Sequence, residues 1–299
     1  MKYINWNGEK ISKLSLGTVQ FGLDYGVSNE NGKPTQENVN KIISFIKDNG
    51  INCFDTAQGY GNSEKVLGIS LEKYQDNMVI SKVTSNNLRN NFISSIKKSL
   101  ENLQEEKLFA VLLHDSEILF NWTQTDSEIV TNAISNNLIK YFGVSIYTDE
   151  EFQQAIENPI IQIIQIPFNL LDQRAITKEW FKKAKENNKL LFIRSVYLQG
   201  LILMDINKVP KHLDKAKPYL LKLENIAKQL NISKNSLALS FVNQIAKDSV
   251  ILFGCETLEQ AEENINTYNE NVLSNQEIEL IENLFVNVDE YIYNPTNWK

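Results

Sequence analysis

The chain has 299 residues, 42% of them hydrophobic, and carries a formal net charge of −7. This acidic balance excludes the basic surface that binding to a nucleic-acid backbone needs. No apolar run approaches the ~20 residues that span a bilayer, and the N-terminus has no apolar leader, so a cytoplasmic protein without membrane contact is expected. The two cysteines, Cys53 and Cys255, lie in apolar runs, which predicts buried, reduced thiols.

Short β-rich segments alternate with amphipathic helical patterns along nearly the whole chain. Asn7-Gly8, between two short alternating segments, predicts an N-terminal β-hairpin. Eight strands are predicted next, at 14–22, 53–57, 78–83, 109–115, 141–146, 160–168, 190–196 and 250–255. Helices are predicted between them at 36–49, 63–74, 88–103, 126–136, 149–157 and 174–188.

Eight βα units without a Pro-, Gly- or Ser-rich linker predict one α/β domain, residues 1–299, built as a (β/α)8 TIM barrel. Extra C-terminal helices are predicted at 216–230, at 234–247 with Ser233 as its cap, and at 276–286. A doubly wound sheet is the alternative. The segment GTVQFGLDYG lacks the G-x-G-x-x-G spacing of that fold, so the barrel is favoured.

Four polar residues, Asp55, Tyr60, Lys82 and His114, lie at or just after the ends of three consecutive predicted strands. Because the carboxyl ends of barrel strands share one face, these side chains are expected to meet there. Each alone has a structural alternative: a cap for Asp55, a snorkelling Lys82, a hydrogen-bonded structural His114. Together they suggest that Asp55 pairs with Lys82, that Lys82 lowers the pKa of Tyr60, and that neutral His114 orients a carbonyl oxygen. The set predicts a proton-donating site, and the chain's two histidines make a zinc site improbable, so no metal is expected.

Seven segments resemble motifs of the aldo-keto reductase family, in the family's order and over nearly the whole chain. They are LGTVQFG at 16–22, FDTAQGYGNSEKVLG at 54–68, ISKV at 80–83, LLHD at 112–115, YFGVSI at 141–146, IIQIPFNLLDQR at 163–174 and ILFGCETLEQAEENI at 251–265. The resemblance implies an NAD(P)H-dependent enzyme that reduces an aldehyde or ketone. Its catalytic residues would be Asp55, Tyr60, Lys82 and His114, with Tyr60 as the general acid.

The same resemblance implies a nicotinamide-nucleotide site at the strand ends. Ser145 and Gln165 match residues that hold the carboxamide, 195–201 matches the segment around the pyrophosphate, and the start of the last barrel helix matches the adenosine end. The residues expected to bind the cofactor are Gly17, Thr18, Asp55, Ser145, Gln165, Arg194, Ser195, Leu198, Gly200, Gly254, Thr257, Gln260, Glu263 and Asn264.

Three departures from the family pattern concern the cofactor: the first two are expected to change how the nicotinamide ring is held, and the third leaves the cofactor open between NADP(H) and NAD(H). Ile146 stands where many relatives have Asn, and Arg194 where many have an aromatic residue that stacks on the nicotinamide. The segment 254–260 offers no Lys or Arg for a 2′-phosphate, and Glu256 within it is an anion. Arg194 is expected either to stack on the nicotinamide or to pair with a carboxylate such as Asp172 or Glu256.

Tyr25, Phe120 and Trp122 are the candidate substrate-pocket residues, although Phe120 and Trp122 are equally suited to covering the barrel rim. The expected partner is a small carbonyl compound, with a sugar or sugar derivative among the choices. The sequence specifies neither the compound nor an oligomeric state. Two other function classes stay open: a nicotinamide-nucleotide-binding regulatory or sensor protein, and a sugar-modifying lyase or epimerase with little net redox turnover.

Overall fold

Two antiparallel strands, β1 (Tyr3–Trp6) and β2 (Glu9–Ser12), form a hairpin at the start of the chain. Asn7 and Gly8 between them have φ angles of 49° and 83°, the left-handed values of an Asn-Gly hairpin turn. The predicted hairpin is confirmed. A computed structural model gives the positions of residues 1–270 and 273–298.

Eight parallel strands close into a barrel, which confirms the predicted TIM-type fold. They are β3 (Leu14–Gly17), β4 (Cys53–Asp55), β5 (Met78–Val83), β6 (Leu108–Leu113), β7 (Ile139–Ser145), β8 (Ile163–Pro167), β9 (Leu190–Arg194) and β10 (Val250–Gly254). The strands pair in chain order, and β10 pairs with both β9 and β3 to close the ring. Every residue of strand β6 is buried. This is the reason that the barrel strands appear in the sequence as continuous apolar runs, since both faces of each strand are covered.

Helices surround the barrel. They are α1 (Val19–Gly22), α2 (Gln36–Asp48), α3 (Ser63–Leu71), α4 (Ser85–Leu103), α5 (Gln124–Ser135), α6 (Asp149–Glu157), α7 (Arg174–Thr177), α8 (Trp180–Glu186), α9 (Lys217–Leu230), α10 (Lys234–Ile245), α11 (Leu258–Asn269), α12 (Asn275–Leu284) and α13 (Glu290–Tyr293). Short 3-10 segments lie at Glu117–Asn121, Leu198–Leu203, Ile206–Lys208, Lys211–Ala216 and Pro295–Asn297. The predicted cap of α10 is confirmed, because the Ser233 hydroxyl accepts a hydrogen bond from the Ser236 backbone N–H at 2.9 Å.

Two predicted elements are wrong in extent. The first barrel strand ends at Gly17, and the next residues form α1, which packs so closely on the loop after β4 that a Cβ at Gly22 would lie 1.7 Å from the Tyr60 carbonyl oxygen. The predicted helix 174–188 is two helices, α7 and α8, because Glu179 between them has a left-handed φ of 58°. The other predicted boundaries differ from the structure by no more than three residues.

The hydrophobic core has two parts, one inside the barrel and one between the barrel and the helices. The inner part ends at the hairpin, where the Trp6 and Tyr141 rings lie 4.8 Å apart between centroids. Cys53 belongs to the inner part and Cys255 to the outer one; both thiols are buried and unpaired, as predicted. Within residues 1–270 and 273–298, no helix is long and apolar enough to cross a membrane.

A buried ammonium ties the first barrel strand to the end of α10. Lys13 Nζ donates hydrogen bonds to the carbonyls of Ala246, Lys247 (3.0 Å) and Ser249 (2.6 Å), which follow that helix. We expect Lys13→Met to lower the free energy of unfolding by about 1–3 kcal/mol, because these buried acceptors would lose their donor. Urea unfolding at pH 7 measures the change, with Lys65→Met at an exposed position of α3 as the control. Equal stability of the two variants would contradict this role.

Candidate active site

A cavity of about 640 Å³ opens at the carboxyl ends of the barrel strands, the end opposite the hairpin. Asp55, Tyr60 and His114 line it, so the structure brings these three predicted residues together. Lys82 lies just behind the wall with only 1% of its side chain exposed. The four side chains come from β4, the loop after it, β5 and the residue after β6.

A buried ion pair organises this group. Lys82 Nζ lies 2.6 Å from Asp55 Oδ2 and donates to the Thr56 carbonyl at 3.0 Å. The same ammonium lies 3.5 Å from the Tyr60 hydroxyl oxygen, within hydrogen-bond distance. The predicted pairing of Asp55 with Lys82 is therefore confirmed, and the phenol is the third member of the contact.

The glycines beside Tyr60 allow the phenol to reach this position. Gly61 has a left-handed φ of 58°, and a Cβ there would lie 2.5 Å from the Gly22 carbonyl oxygen, so no other residue fits without displacing the backbone. Gly59 packs against the ring of His114, which meets the Tyr60 ring edge-to-face with centroids 5.5 Å apart. The loop thus places a phenol and an imidazole on the same side of the cavity.

The electrostatics differ from the sequence prediction at Tyr60. Burial raises the pKa of Tyr60 above its ordinary value, and the Asp55 carboxylate raises it further, while Arg194 acts in the opposite direction. The expected lowering by Lys82 is wrong, because the ammonium is paired with Asp55 and the phenol is desolvated. Burial, followed by the Lys82 charge, lowers the pKa of His114. At neutral pH the site therefore holds a protonated phenol beside a neutral imidazole.

Gln165 connects Asp55 to the opposite side of the barrel. Its Nε2 donates to Asp55 Oδ1 at 2.8 Å, and β8 stands four strands away from β4 around the ring. Both carboxylate oxygens of Asp55 are therefore engaged, one by Lys82 and one by Gln165. The residue matched to the carboxamide site thus also fixes the carboxylate that holds Lys82.

Arg194 lines the cavity on the side of β7 to β9. Its guanidinium donates to the Ile146 carbonyl at 2.8 Å and to Ser195 Oγ at 3.2 Å. It also lies 4.0 Å from the centroid of the Tyr147 ring.

The alternative of an ion pair between Arg194 and Asp172 or Glu256 is wrong. Asp172 is paired with Arg174 at 2.8 Å, and in residues 1–270 and 273–298 no carboxylate oxygen lies within 4.0 Å of the Arg194 nitrogens. Arg174 itself donates to the Tyr147 carbonyl at 2.6 Å.

Most residues expected at the cofactor site line the cavity, and four predicted site residues besides Lys82 do not. Leu198 is fully buried, and the Thr257 hydroxyl caps α11. Phe120 is 51% exposed away from the cavity, and Trp122 packs on Phe142 and donates to Ser127. The predicted residues on the wall, besides Tyr60 and His114, are Gly17, Thr18, Tyr25, Asp55, Ser145, Gln165, Arg194, Ser195, Gly200, Gly254, Gln260, Glu263 and Asn264.

The sequence analysis missed several residues on the wall. The Tyr197 hydroxyl donates to Asn235 at 2.7 Å and contacts Asn264, which joins the segment after β9 to α10 and α11. No local pattern signals Asn235, since only the fold brings α10 to the cavity. Tyr197 lies within the matched segment 195–201 and could have been found there. Further wall residues that were not predicted include Gln20, Tyr147, Pro295 and Thr296.

Metal-binding side chains do not cluster in the part of the chain that the structure describes. Across residues 1–270 and 273–298, no three His, Cys, Asp or Glu side chains group closely enough to hold a metal ion.

Comparison with known proteins identifies the family. A sequence model of the Aldo/keto reductase family matches residues 13–285. The L-glyceraldehyde 3-phosphate reductase of Escherichia coli O157:H7 is 26% identical over 315 residues, covering 91% of this chain and 89% of that protein. Aldo-keto reductase AKR11C1 from Bacillus halodurans, in its holo form, has a TM-score of 0.78 at 19% identity, covering 98% of each chain. An aldo/keto reductase from Klebsiella pneumoniae in complex with NADP and acetate has a TM-score of 0.72 at 19% identity, covering 95% of each chain. The chain belongs to the aldo/keto reductase family.

Proposed function

We propose that this protein reduces an aldehyde or ketone to an alcohol with NADPH or NADH, and that Tyr60 donates the proton. One observation carries the proposal: the partly buried Tyr60 phenol lines the cavity, with the Lys82–Asp55 ion pair behind it and His114 beside it. Proton donation to a forming alkoxide needs a positioned acid and a nearby positive charge to stabilise the anion left behind.

The cavity fits a nicotinamide dinucleotide. Its volume of about 640 Å³ lies within the ~300–1,000 Å³ common for cofactor sites. Gly17, Gly254 and Gln20 line one wall, and the Gln20 side chain lies so close to Gly254 that a Cβ there would be 2.6 Å from its Nε2. The Gln20 Oε1 atom is buried without a hydrogen-bond partner among the described residues. An unsatisfied buried oxygen in a cavity wall is suited to a donor on a bound ligand. Ser145 and Gln165 would hold the carboxamide, and Asn264 the adenosine end.

When bound, the reduced nicotinamide supplies a hydride to the carbonyl carbon. Tyr60 gives its hydroxyl proton to the carbonyl oxygen, and the phenolate that remains lies beside the Lys82 ammonium. His114, neutral because burial lowers its pKa, donates a hydrogen bond that orients the same oxygen. Asp55 keeps Lys82 in place, and Gln165 keeps Asp55 in place.

A panel of aldehydes and ketones, followed by the loss of reduced-cofactor absorbance, tests the proposal. We expect stoichiometric oxidation of the cofactor with at least one carbonyl compound, together with formation of the alcohol. A sensor protein would bind the cofactor without turnover, and a lyase or epimerase would change its substrate without net cofactor oxidation. Either of those results would refute the proposed reduction.

We expect NADPH to bind no more tightly than NADH. Arg194 is the one Lys or Arg among the described wall residues, and Glu256 and Glu263 line the end matched to adenosine. A charged donor to the 2′-phosphate contributes about 1.5–3 kcal/mol, or roughly ten- to hundredfold in affinity, and this end has none. Fluorescence titration with both reduced cofactors measures the preference.

A charge-reversal pair sharpens this test. Glu256→Arg is expected to favour NADPH by about tenfold or more, because it brings a guanidinium to the wall. Glu259→Arg adds the same charge at an exposed position of α11 outside the wall, so its preference should match the wild type. A hundredfold NADPH preference in the wild type would show that a cation reaches the phosphate from another part of the chain.

A further inference from the structure

The Arg194 guanidinium is the one unpaired positive charge on the described part of the cavity wall. Lys82 is neutralised by Asp55, and the nearby Arg174 is neutralised by Asp172. A partly buried guanidinium without a carboxylate is unusual, because removing a charge from water is unfavourable unless another charge or several hydrogen bonds compensate. The arrangement therefore leaves a positive charge available to a ligand in the cavity.

The protein holds this guanidinium in a fixed orientation. One face lies against the Tyr147 ring, and two N–H groups are used by the Ile146 carbonyl and Ser195 Oγ. A guanidinium has five N–H donors, so about three remain for a ligand. A second contact supports the arrangement, because Arg174 donates to the Tyr147 carbonyl. Pre-oriented guanidinium donors match the oxygens of carboxylates and phosphates.

Arg194 also lies at the reacting end of the cavity. It ends β9, which stands opposite β5 in the ring, so its side chain faces the Lys82–Tyr60 group across the barrel mouth. Its charge opposes the effect of burial on the pKa of Tyr60 and adds to the lowered pKa of His114. A carbonyl oxygen at Tyr60 and an anionic group at Arg194 can therefore belong to one small molecule.

We propose that Arg194 binds a carboxylate or phosphate on the carbonyl substrate, so that the enzyme prefers short anionic aldehydes or ketones to neutral ones. This inference rests on the proposed carbonyl reduction and adds the class of substrate. The cofactor pyrophosphate is a second source of the same chemistry, because Arg194 directly precedes the segment 195–201. The experiment must separate these two anions.

Matched pairs of anionic and neutral substrates distinguish binding of a substrate anion from binding of the cofactor pyrophosphate. The pairs are glyceraldehyde 3-phosphate with glyceraldehyde, and succinic semialdehyde with butyraldehyde, and the measured quantity is the anionic-to-neutral ratio of kcat/KM. We expect a ratio well above one in the wild type for at least one pair. Arg194→Gln should lower that ratio by about ten- to hundredfold, the value of a charge-assisted hydrogen bond, and Arg194→Lys should fall between the two. Weaker cofactor binding lowers both members of a pair and leaves the ratio unchanged.

A control and a binding measurement complete the test. Lys185→Gln removes the same charge from an exposed pair with Asp248, and its ratio should equal that of the wild type. Calorimetric titration of malonate and inorganic phosphate into the NAD+-saturated protein should show binding that Arg194→Gln removes.

Two results would overturn the proposal. If Arg194→Gln binds NADH more weakly but keeps the wild-type anionic-to-neutral ratio, Arg194 binds the cofactor pyrophosphate. If Arg194→Gln keeps both the wild-type ratio and the wild-type affinity for malonate, Arg194 has no role in anion recognition. If no carbonyl compound is reduced, the proposed function fails by itself. The malonate and phosphate titrations then still decide whether Arg194 binds an anion.

Discussion

Tyr60→Phe is expected to lower kcat for carbonyl reduction by about 10²–10⁴-fold, the range for loss of a positioned general acid. The variant removes the hydroxyl that lies 3.5 Å from the Lys82 ammonium and keeps the ring that packs edge-to-face on His114. The dissociation constant for reduced cofactor should therefore stay close to that of the wild type. Steady-state kinetics with a verified substrate and fluorescence titration of NADH measure the two quantities.

Tyr25→Phe is the matched control, because Tyr25 is a second phenol on the same cavity wall. Burial raises the pKa of Tyr25 to about 12, so it too is protonated at neutral pH. Among the described residues, the Lys82 ammonium contacts Asp55, Thr56 and Tyr60 but not Tyr25, so removal of the Tyr25 hydroxyl should have a much smaller effect on kcat. If Tyr25→Phe lost most of the activity and Tyr60→Phe kept it, the proton donor would be Tyr25.

Lys82→Met is expected to lower kcat by a similar factor and, unlike Tyr60→Phe, to destabilise the fold by about 3–5 kcal/mol. The substitution leaves the Asp55 carboxylate buried without its cation, since both side chains are 5% exposed or less. It also removes the charge that, in the proposed mechanism, would stabilise the Tyr60 phenolate. Urea unfolding and steady-state kinetics on the same preparations give both effects.

A double variant separates the two effects of Lys82. Asp55→Asn together with Lys82→Met removes both charges, so it should recover most of the stability lost in Lys82→Met. Activity should stay low, because the phenolate still lacks its ammonium. Recovery of activity along with stability would mean that Lys82 acts only by supporting the fold.

The barrel and the Asp55, Tyr60, Lys82 and His114 group could be predicted because both depend on short, local sequence patterns. Strands buried on both faces appear as apolar runs, and the residue that ends such a run must lie at the barrel mouth. Asp55 and His114 were placed in this way, and the Asp55–Lys82 pair followed from the cost of burying single charges. The assignment of Ser145 and Gln165 to the cofactor site came from the family resemblance and stays a prediction.

Features that depend on neighbours distant in sequence were predicted poorly. The pKa of Tyr60 was expected to fall because of Lys82, but burial, which the sequence does not display, raises it. Phe120 and Trp122 looked suitable for a pocket, yet whether a rim loop turns inward depends on packing such as that of Trp122 on Phe142. Arg194 has no carboxylate partner among the described residues partly because Asp172 pairs with Arg174 instead. No sequence pattern indicates which of the two arginines pairs with Asp172.

The C-terminal segment has a consequence for handling the protein. The Tyr293 ring lies 4.6 Å from the Arg174 guanidinium, which supports Tyr147, and Thr296 lines the cavity. Proteolytic clipping ahead of α13 would remove these contacts and leave every barrel strand in place. Such a sample would give a normal circular-dichroism spectrum while its selectivity between anionic and neutral aldehydes declined. Intact-mass measurement, rather than a thermal melt, is therefore the appropriate quality check before kinetic comparison of variants.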